Sequence, residues 1–255
     1  MSVAVLSVTA LADFPTVRAG DDLAALVLAA VAASELSLQS GDVLVLAQKI
    51  VSKAEGRTVA LSTVEPSDQA HELAARAHKD PRVAELILRE SVEVLRCRPG
   101  VIIVEDRRGF VMANAGIDAS NVEADQGDAV LLLPVDPDAS AARIRAAIAE
   151  RSGVDVGIVI NDSFGRAWRM GTVGTAVGVA GIPALLDLRG RPDRNGRILQ
   201  TTDLGVADEV AAAASLMMGQ AGEGRPATLV RGFPYLAADG KARDLVRARG
   251  MDLFR

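Results

Sequence analysis

Aromatic side chains make up only 3% of this 255-residue chain, with one tryptophan, one tyrosine and five phenylalanines. Its core must therefore be aliphatic, built from Ala, Val, Leu and Ile. The single cysteine, Cys97, excludes an intrachain disulfide and suits a reducing cytoplasm. In "EVLRCRPG" it stands beside a turn with no histidine nearby, which reads as a bland residue and not as a catalytic thiol. The only histidines, His71 and His78, fall on one helix with no third metal ligand in view and read as surface residues. No apolar run reaches membrane length. The opening "MSVAVLSVTALADFP" is short, has no basic residue before Arg18, and reads as a first strand in a soluble, cytoplasmic protein. A formal net charge of −5 disfavours nucleic acid as a partner, and the lack of a membrane-length apolar run disfavours a membrane. An anionic ligand would need a locally basic site, and Arg166, Arg169, Arg189, Arg191, Arg194 and Arg197 supply a basic stretch.

What is present is a mixture of helical and strand patterns without strict alternation. "DDLAALVLAAVAASEL" has helical periodicity behind an acidic start. "EPSDQAHELAARAHKD" reads as a helix, and Asp80-Pro81 as the cap and first residue of another running to about Glu93. "PDASAARIRAAIAERSG" is a helix capped near Asp138 or Ser140 and closed by Gly153. "VADEVAAAASLMMGQ" and "KARDLVRARG" complete the helices. Strands are expected at Val43–Leu46 and in "VIIVED", "GFVMANAG", "AVLLLPVD", "VDVGIVIND" and "ATLVRG", with Arg107-Arg108-Gly109 and Asn195-Gly196 as hairpin turns. Adjacent strands joined by hairpins favour an α+β fold of mixed, largely antiparallel sheets with flanking helices. Residues 1–255 read as one unit.

Two carboxylates with small polar neighbours stand at expected strand ends: Asp118 in "AGIDASN" and Asp162 in "VINDS". Magnesium sites that handle nucleotides use one or two such carboxylates plus phosphate oxygens. "GRAWRMGTVGTAVG" then sets Arg166 and Arg169 beside glycines that would let backbone N–H groups approach an anion. It is neither a Walker loop nor a dinucleotide fingerprint, and close packing on small residues explains the glycines equally well. Lys53 is a candidate phosphate contact or a solvated lysine. "MMGQAGEGRP" is a glycine-rich helix end where a nucleotide could sit. Together these residues point to an anionic ligand and a divalent metal, and they leave the reaction open.

"LADF", "QKIVSKAEGR", "AGIDASNV", "VINDSFGRAWRMGTVGTAVGVAG" and "VADEVAAAASLMMGQ", in this order across nearly the whole chain, resemble the coenzyme F-420-0: L-glutamate ligase family, the gamma-glutamyl ligases of deazaflavin coenzyme biosynthesis. The resemblance implies an uncommon α+β fold and a homodimer of two-lobed protomers; the reductase domain fused to some relatives is not expected within residues 1–255. It implies a GTP-dependent ligase using two magnesium or manganese ions, with a possible monovalent cation. The carboxylate of the deazaflavin precursor would be activated as an acyl phosphate and attacked by the amine of L-glutamate, and repetition would extend a gamma-linked tail. Another amide-forming ligase on the same scaffold is the alternative. By the same resemblance Asp118, Asp162, Ser163 and Gln220 are metal ligands. Leu11, Ala12, Asp13, Phe14, Lys53, Asn121 and the run Met218, Gly219, Gln220, Ala221, Gly222, Glu223, Gly224 and Arg225 are implied for GTP. Gln48 stands where the family often has Ser. The spacing of Arg166 and Arg169 is read as a turn or short helix that aims both, as catalytic residues, at metal-bound phosphates or the acidic precursor.

Overall fold

The structure is a computed structural model that describes residues 4–118 and 128–252. Along the chain, β1 (Ser7–Ala10) leads to α1 (Leu23–Ala33), β2 (Val43–Ala47), α2 (Gln48–Ala54) and β3 (Thr58–Ala60). Then follow α3 (Asp68–Ala77), α4 (Pro81–Arg89), β4 (Ser91–Arg98), β5 (Val101–Asp106), β6 (Val111–Ala113) and β7 (Ala129–Leu131). The remainder comprises α5 (Pro137–Ser152), β8 (Gly157–Arg166), β9 (Arg169–Ala180), β10 (Leu186–Asp187), β11 (Asp203–Leu204), α6 (Val206–Met218) and β12 (Ala227–Arg231).

The helices start where short acidic or hydroxyl side chains can accept from free backbone N–H groups. Asp22 accepts from Ala25 N at 3.1 Å, Ser67 from Ala70 N at 3.3 Å and Asp80 from Arg82 N at 2.8 Å. The cap of α5 is Asp136, accepting from Ala139 N at 3.0 Å, so this helix begins earlier than the sequence suggests, with Pro137 in its first turn.

The main sheet has the order β1-β12-β2-β8-β9, with β2 and β8 parallel and the other neighbours antiparallel. This is an α+β arrangement of largely antiparallel sheets. β2 and β8 lie at its centre, and Val43, Leu44, Val45, Leu46, Ile158, Val159 and Ile160 are fully buried. Such unbroken apolar runs are what a strand covered on both faces requires. Helices α5 and α6 pack on β9. A separate three-stranded sheet, β4-β5-β6, packs with α3 and α4 around Leu73, Ala77, Ile87, Ile102 and Val104. Among the described residues no helix is long and apolar enough to cross a membrane.

The structure departs from the sequence reading at three further places. Helix α4 stops at Arg89 and "SVEVLRCR" is strand β4, whose Val94 and Cys97, on either side of a register shift, pack on the second core. "KARDLVRARG" forms only short 3₁₀ turns, at Ala242–Leu245 and Arg249–Met251. The most consequential departure is in "NDSFGRAWRMGTVGTAVG". β8 does not end at Asp162; it continues to Arg166, turns through Ala167-Trp168, and returns as β9. Arg166 and Arg169 face each other as the last pair of a β-hairpin, so neither a helix nor a glycine-rich loop is present.

The glycines of β9 explain themselves by packing. Ile160 pairs with Gly178 and Asn161 with Ala176, so Val177 is an extra residue that bulges the strand and changes which face its neighbours present. A side chain at Gly174 would come within 2.4 Å of the Ala211 carbonyl of α6, and one at Gly178 within 2.4 Å of the Pro137 carbonyl of α5. These positions are glycine because helix backbone lies directly on the strand.

Candidate functional site

The site forms where the C-terminal ends of the parallel pair β2 and β8 open beside the end of α6. A cavity of about 380 Å³ is lined there by Phe14 and Val17, by Gln48, Lys49 and Lys53 of α2, by Asn161, Asp162 and Ser163 of β8, and by the run from Met218 to Pro226. Segments far apart in sequence thus converge on one opening. The run after α6 departs from the helix at Gly219, whose φ of +76° is open to glycine and strained for other residues. Two contacts fix it: Ala47 N donates to Pro226 O at 2.8 Å, and Ala221 N donates to the Glu223 carboxylate at 2.8 Å.

Ser163 Oγ donates to Gln220 Oε1 at 2.6 Å, joining two residues that the sequence holds 57 positions apart. Beside them, Ser163 N donates to Asp162 Oδ1 at 2.8 Å. The Asp162 carboxyl is pushed up to about 6 from its ordinary 3.8, first by burial and then by the like charge of Asp118. The Ser163 N–H and the Lys49 ammonium oppose that rise. Asp118 lies close enough to contribute, and its Oδ2 is 2.6 Å from Lys49 Nζ. It is held by reciprocal backbone hydrogen bonds with Leu131 at 3.0 and 2.8 Å.

Asp162, Ser163 and Gln220 line the cavity, and Asp118, near enough for its charge to act on Asp162, adds a second carboxylate, so the candidate donors are all oxygen. Among the described residues no three His, Cys, Asp or Glu side chains cluster for a metal, so a hydroxyl and an amide must complete any such site. Hard divalent cations accept this set, and soft ones that prefer sulfur or imidazole do not. Burial disfavours the charge on the Asp162 carboxylate, and a bound cation would relieve that cost. The residues present therefore fit magnesium or manganese.

Other expected site residues are placed differently. Phe14, Gln48, Lys53 and Met218 through Arg225 line the cavity. Leu11 is a core side chain, 2% exposed, while Ala12 and Asp13 are exposed and outside the lining. Gln48 is buried and accepts from Ser52 Oγ at 2.8 Å, so its carbonyl serves α2 itself. Asn121 lies outside the described residues. Arg166 and Arg169 are exposed at the hairpin tip, away from the cavity, and Arg166 donates to Met170 O at 3.3 Å. Arg189, also expected in a basic site, pairs with Asp187 at 2.7 Å. Lys49 is the residue that sequence reasoning missed. The signal was available: Lys49 and Lys53 are one helical turn apart and share a face of α2.

Comparison with known proteins bears on what this cavity serves. The sequence model of the F420-0:gamma-glutamyl ligase family matches residues 12–232. A coenzyme F420:L-glutamate ligase of Methanothermobacter thermautotrophicus is 47% identical over 252 residues, covering 98% of this chain and 99% of the relative. Proteins of the same name from Methanopyrus kandleri and Halobacterium salinarum are 47% and 44% identical, each covering 94% of this chain and over nine-tenths of their own length.

Proposed function

The chain belongs to the F420-0:gamma-glutamyl ligase family, and from that premise we propose that it joins L-glutamate to the deazaflavin coenzyme F420 precursor at the expense of GTP. One observation carries the proposal. Lys53, the Ser163–Gln220 pair and the Met218–Arg225 run meet in a single cavity directly beside Asp162, whose carboxyl feels Asp118.

The chemistry requires a carboxylate of the precursor to attack the γ-phosphorus of GTP. GDP leaves, and an acyl phosphate remains. The amine of glutamate then attacks the acyl carbon, phosphate departs with the C–O bond electrons, and the amine gives up its proton. Carboxylate and triphosphate repel each other, so the site must neutralise both before they meet. Divalent ions held by Asp118, Asp162, Ser163 and Gln220 would supply most of that neutralisation when bound. Lys53, half-buried on α2, is placed to bind a phosphate as a point charge. Lys49 pairs with the Asp118 carboxylate at 2.6 Å and so holds it in position. The run from Gly219 to Gly224 can bring backbone N–H groups close to phosphate oxygens because three of its residues are glycine. Repeated cycles would extend a gamma-linked tail. The same reading takes the protein as a homodimer acting in the cytoplasm.

Phosphate release measured with the precursor, glutamate and either GTP or ATP tests the proposal. Release that needs GTP and both other substrates is expected. Release with ATP alone, or with an amine other than glutamate preferred, would replace it with a different amide-forming ligase.

A further inference from the structure

A second opening lies beside β8 and β9, and its lining differs in kind. A cavity of about 580 Å³ is bounded by the β5–β6 turn, the start of α5 and the C-terminal segment. It adjoins one of about 250 Å³ that shares Phe110, Val246 and Arg247 with it and reaches Phe164 and Thr175. Together they form one groove. Its floor is apolar: Phe110 and Val177 are buried, and Phe110 meets Phe164 edge to face with centroids 6.1 Å apart.

Four arginines border this floor: Arg107, Arg108, Arg243 and Arg247. Arg108 is committed to Asp106 and Glu90, and Arg243 approaches Asp138 at 4.0 Å. The acidic neighbours are also committed. Asp136 caps α5, Asp138 accepts from Val179 N and Ala242 N at 2.8 Å each, and Asp208 accepts from Ala176 N at 2.9 Å. Asp252 borders the far end. Among the described residues Arg107 and Arg247 have no carboxylate partner. Two guanidinium groups without counter-ions above an apolar floor suit an elongated ligand with an apolar body and carboxylate groups.

The groove also leads to the reaction site. Phe164 follows Asp162 by two residues and lies on the same face of β8, and Thr175 is the cross-strand partner of Asp162. Asp162 lines the cavity that holds Lys53, and this groove ends at Phe164 and Thr175 next to it. We propose that the groove is a polycarboxylate site that holds the acidic acceptor, with Arg107 and Arg247 taking its carboxylates. In identifying the ligand as the acceptor, this inference rests on the ligase reading; the polycarboxylate site itself does not.

The test uses Arg107→Gln, Arg247→Gln and the double variant, with a γ-linked tri-L-glutamate peptide and inorganic triphosphate as separate probes in titration calorimetry. Both positions are exposed, so the fold is expected to survive. The double variant should bind the peptide at least tenfold more weakly, with triphosphate affinity unchanged, and its KM for the precursor should rise without a rise for GTP. Unchanged peptide affinity, or an equal loss for triphosphate, overturns the proposal. If the wild-type protein ligates nothing while the variant still loses the peptide, the groove stands and the assigned reaction falls. If ligation proceeds with unchanged precursor KM in the double variant, the reaction stands and the groove falls.

Discussion

Asp162→Asn separates what the site costs the fold from what it does in catalysis. In the metal-free protein the Asp162 carboxyl is held at about 6 against an ordinary value of 3.8, chiefly by burial. Between those values the folded protein binds a proton that the unfolded chain has released, so stability falls as pH rises through this window. Above about pH 6 the full penalty is present, and below about pH 4 it vanishes. At about 1.36 kcal/mol per pH unit the penalty is at most roughly 3 kcal/mol, and partial solvent access reduces it to about 1–3 kcal/mol. Asparagine has nearly the same shape and no charge. The variant should therefore melt higher than wild type by roughly 2–10 °C at pH 8 in EDTA, and at the same temperature near pH 4. Saturating magnesium or manganese should reverse the order, because only the wild type gains ligand stabilisation, about 2.7 kcal/mol at a hundredfold excess over Kd. Paired thermal melts at both pH values, with and without metal, read this directly. A variant no more stable than wild type at pH 8 without metal, or one stabilised by metal as much as wild type, would refute the reasoning.

Lys53→Ala should raise the KM for GTP more than it lowers kcat, since a phosphate-binding lysine contributes mostly binding; steady-state kinetics with an unchanged KM would return it to the solvated surface. Arg166→Lys and Arg169→Lys, at an exposed hairpin tip, should change catalytic efficiency by under about 1 kcal/mol each, and a tenfold loss in either would show that the tip reaches substrate. Gly174→Ala should destabilise by about 1–3 kcal/mol, because the added methyl meets the Ala211 carbonyl at 2.4 Å and Asn161 Oδ1 at 2.7 Å. Urea denaturation with an unchanged midpoint would contradict that packing.

The parts of the fold that sequence reveals are those where one local rule dominates. "VLVLA" and "GIVI" read as buried strands because nothing interrupts their apolar runs, and Asp80-Pro81 marks a helix start by chemistry alone. The hairpin of β8 and β9 was hidden because its glycines look like loop residues, and their reason is helix backbone approaching from α5 and α6, which no local window contains. Strand β4 was absorbed into the preceding helix because Glu90, its capping residue, carries no breaker signal. Asp162 and Lys53 stand out as candidates in the sequence and Ser163 and Gln220 enter through the resemblance; the structure brings all four to one cavity. Lys49 shares a helix face with Lys53, but its role comes from a partner, Asp118, that lies far away in sequence.

The central claim is that Asp162, held beside Asp118 and Ser163, serves the joining of glutamate to the F420 precursor. Mass spectrometry of the precursor after incubation with L-glutamate, GTP and manganese tests it most directly, with wild type and Asp162→Asn run side by side. The account predicts products heavier by whole glutamyl residues with the wild type and unmodified precursor with the variant. Unmodified precursor with the wild type, or equal glutamylation by both proteins, would contradict it.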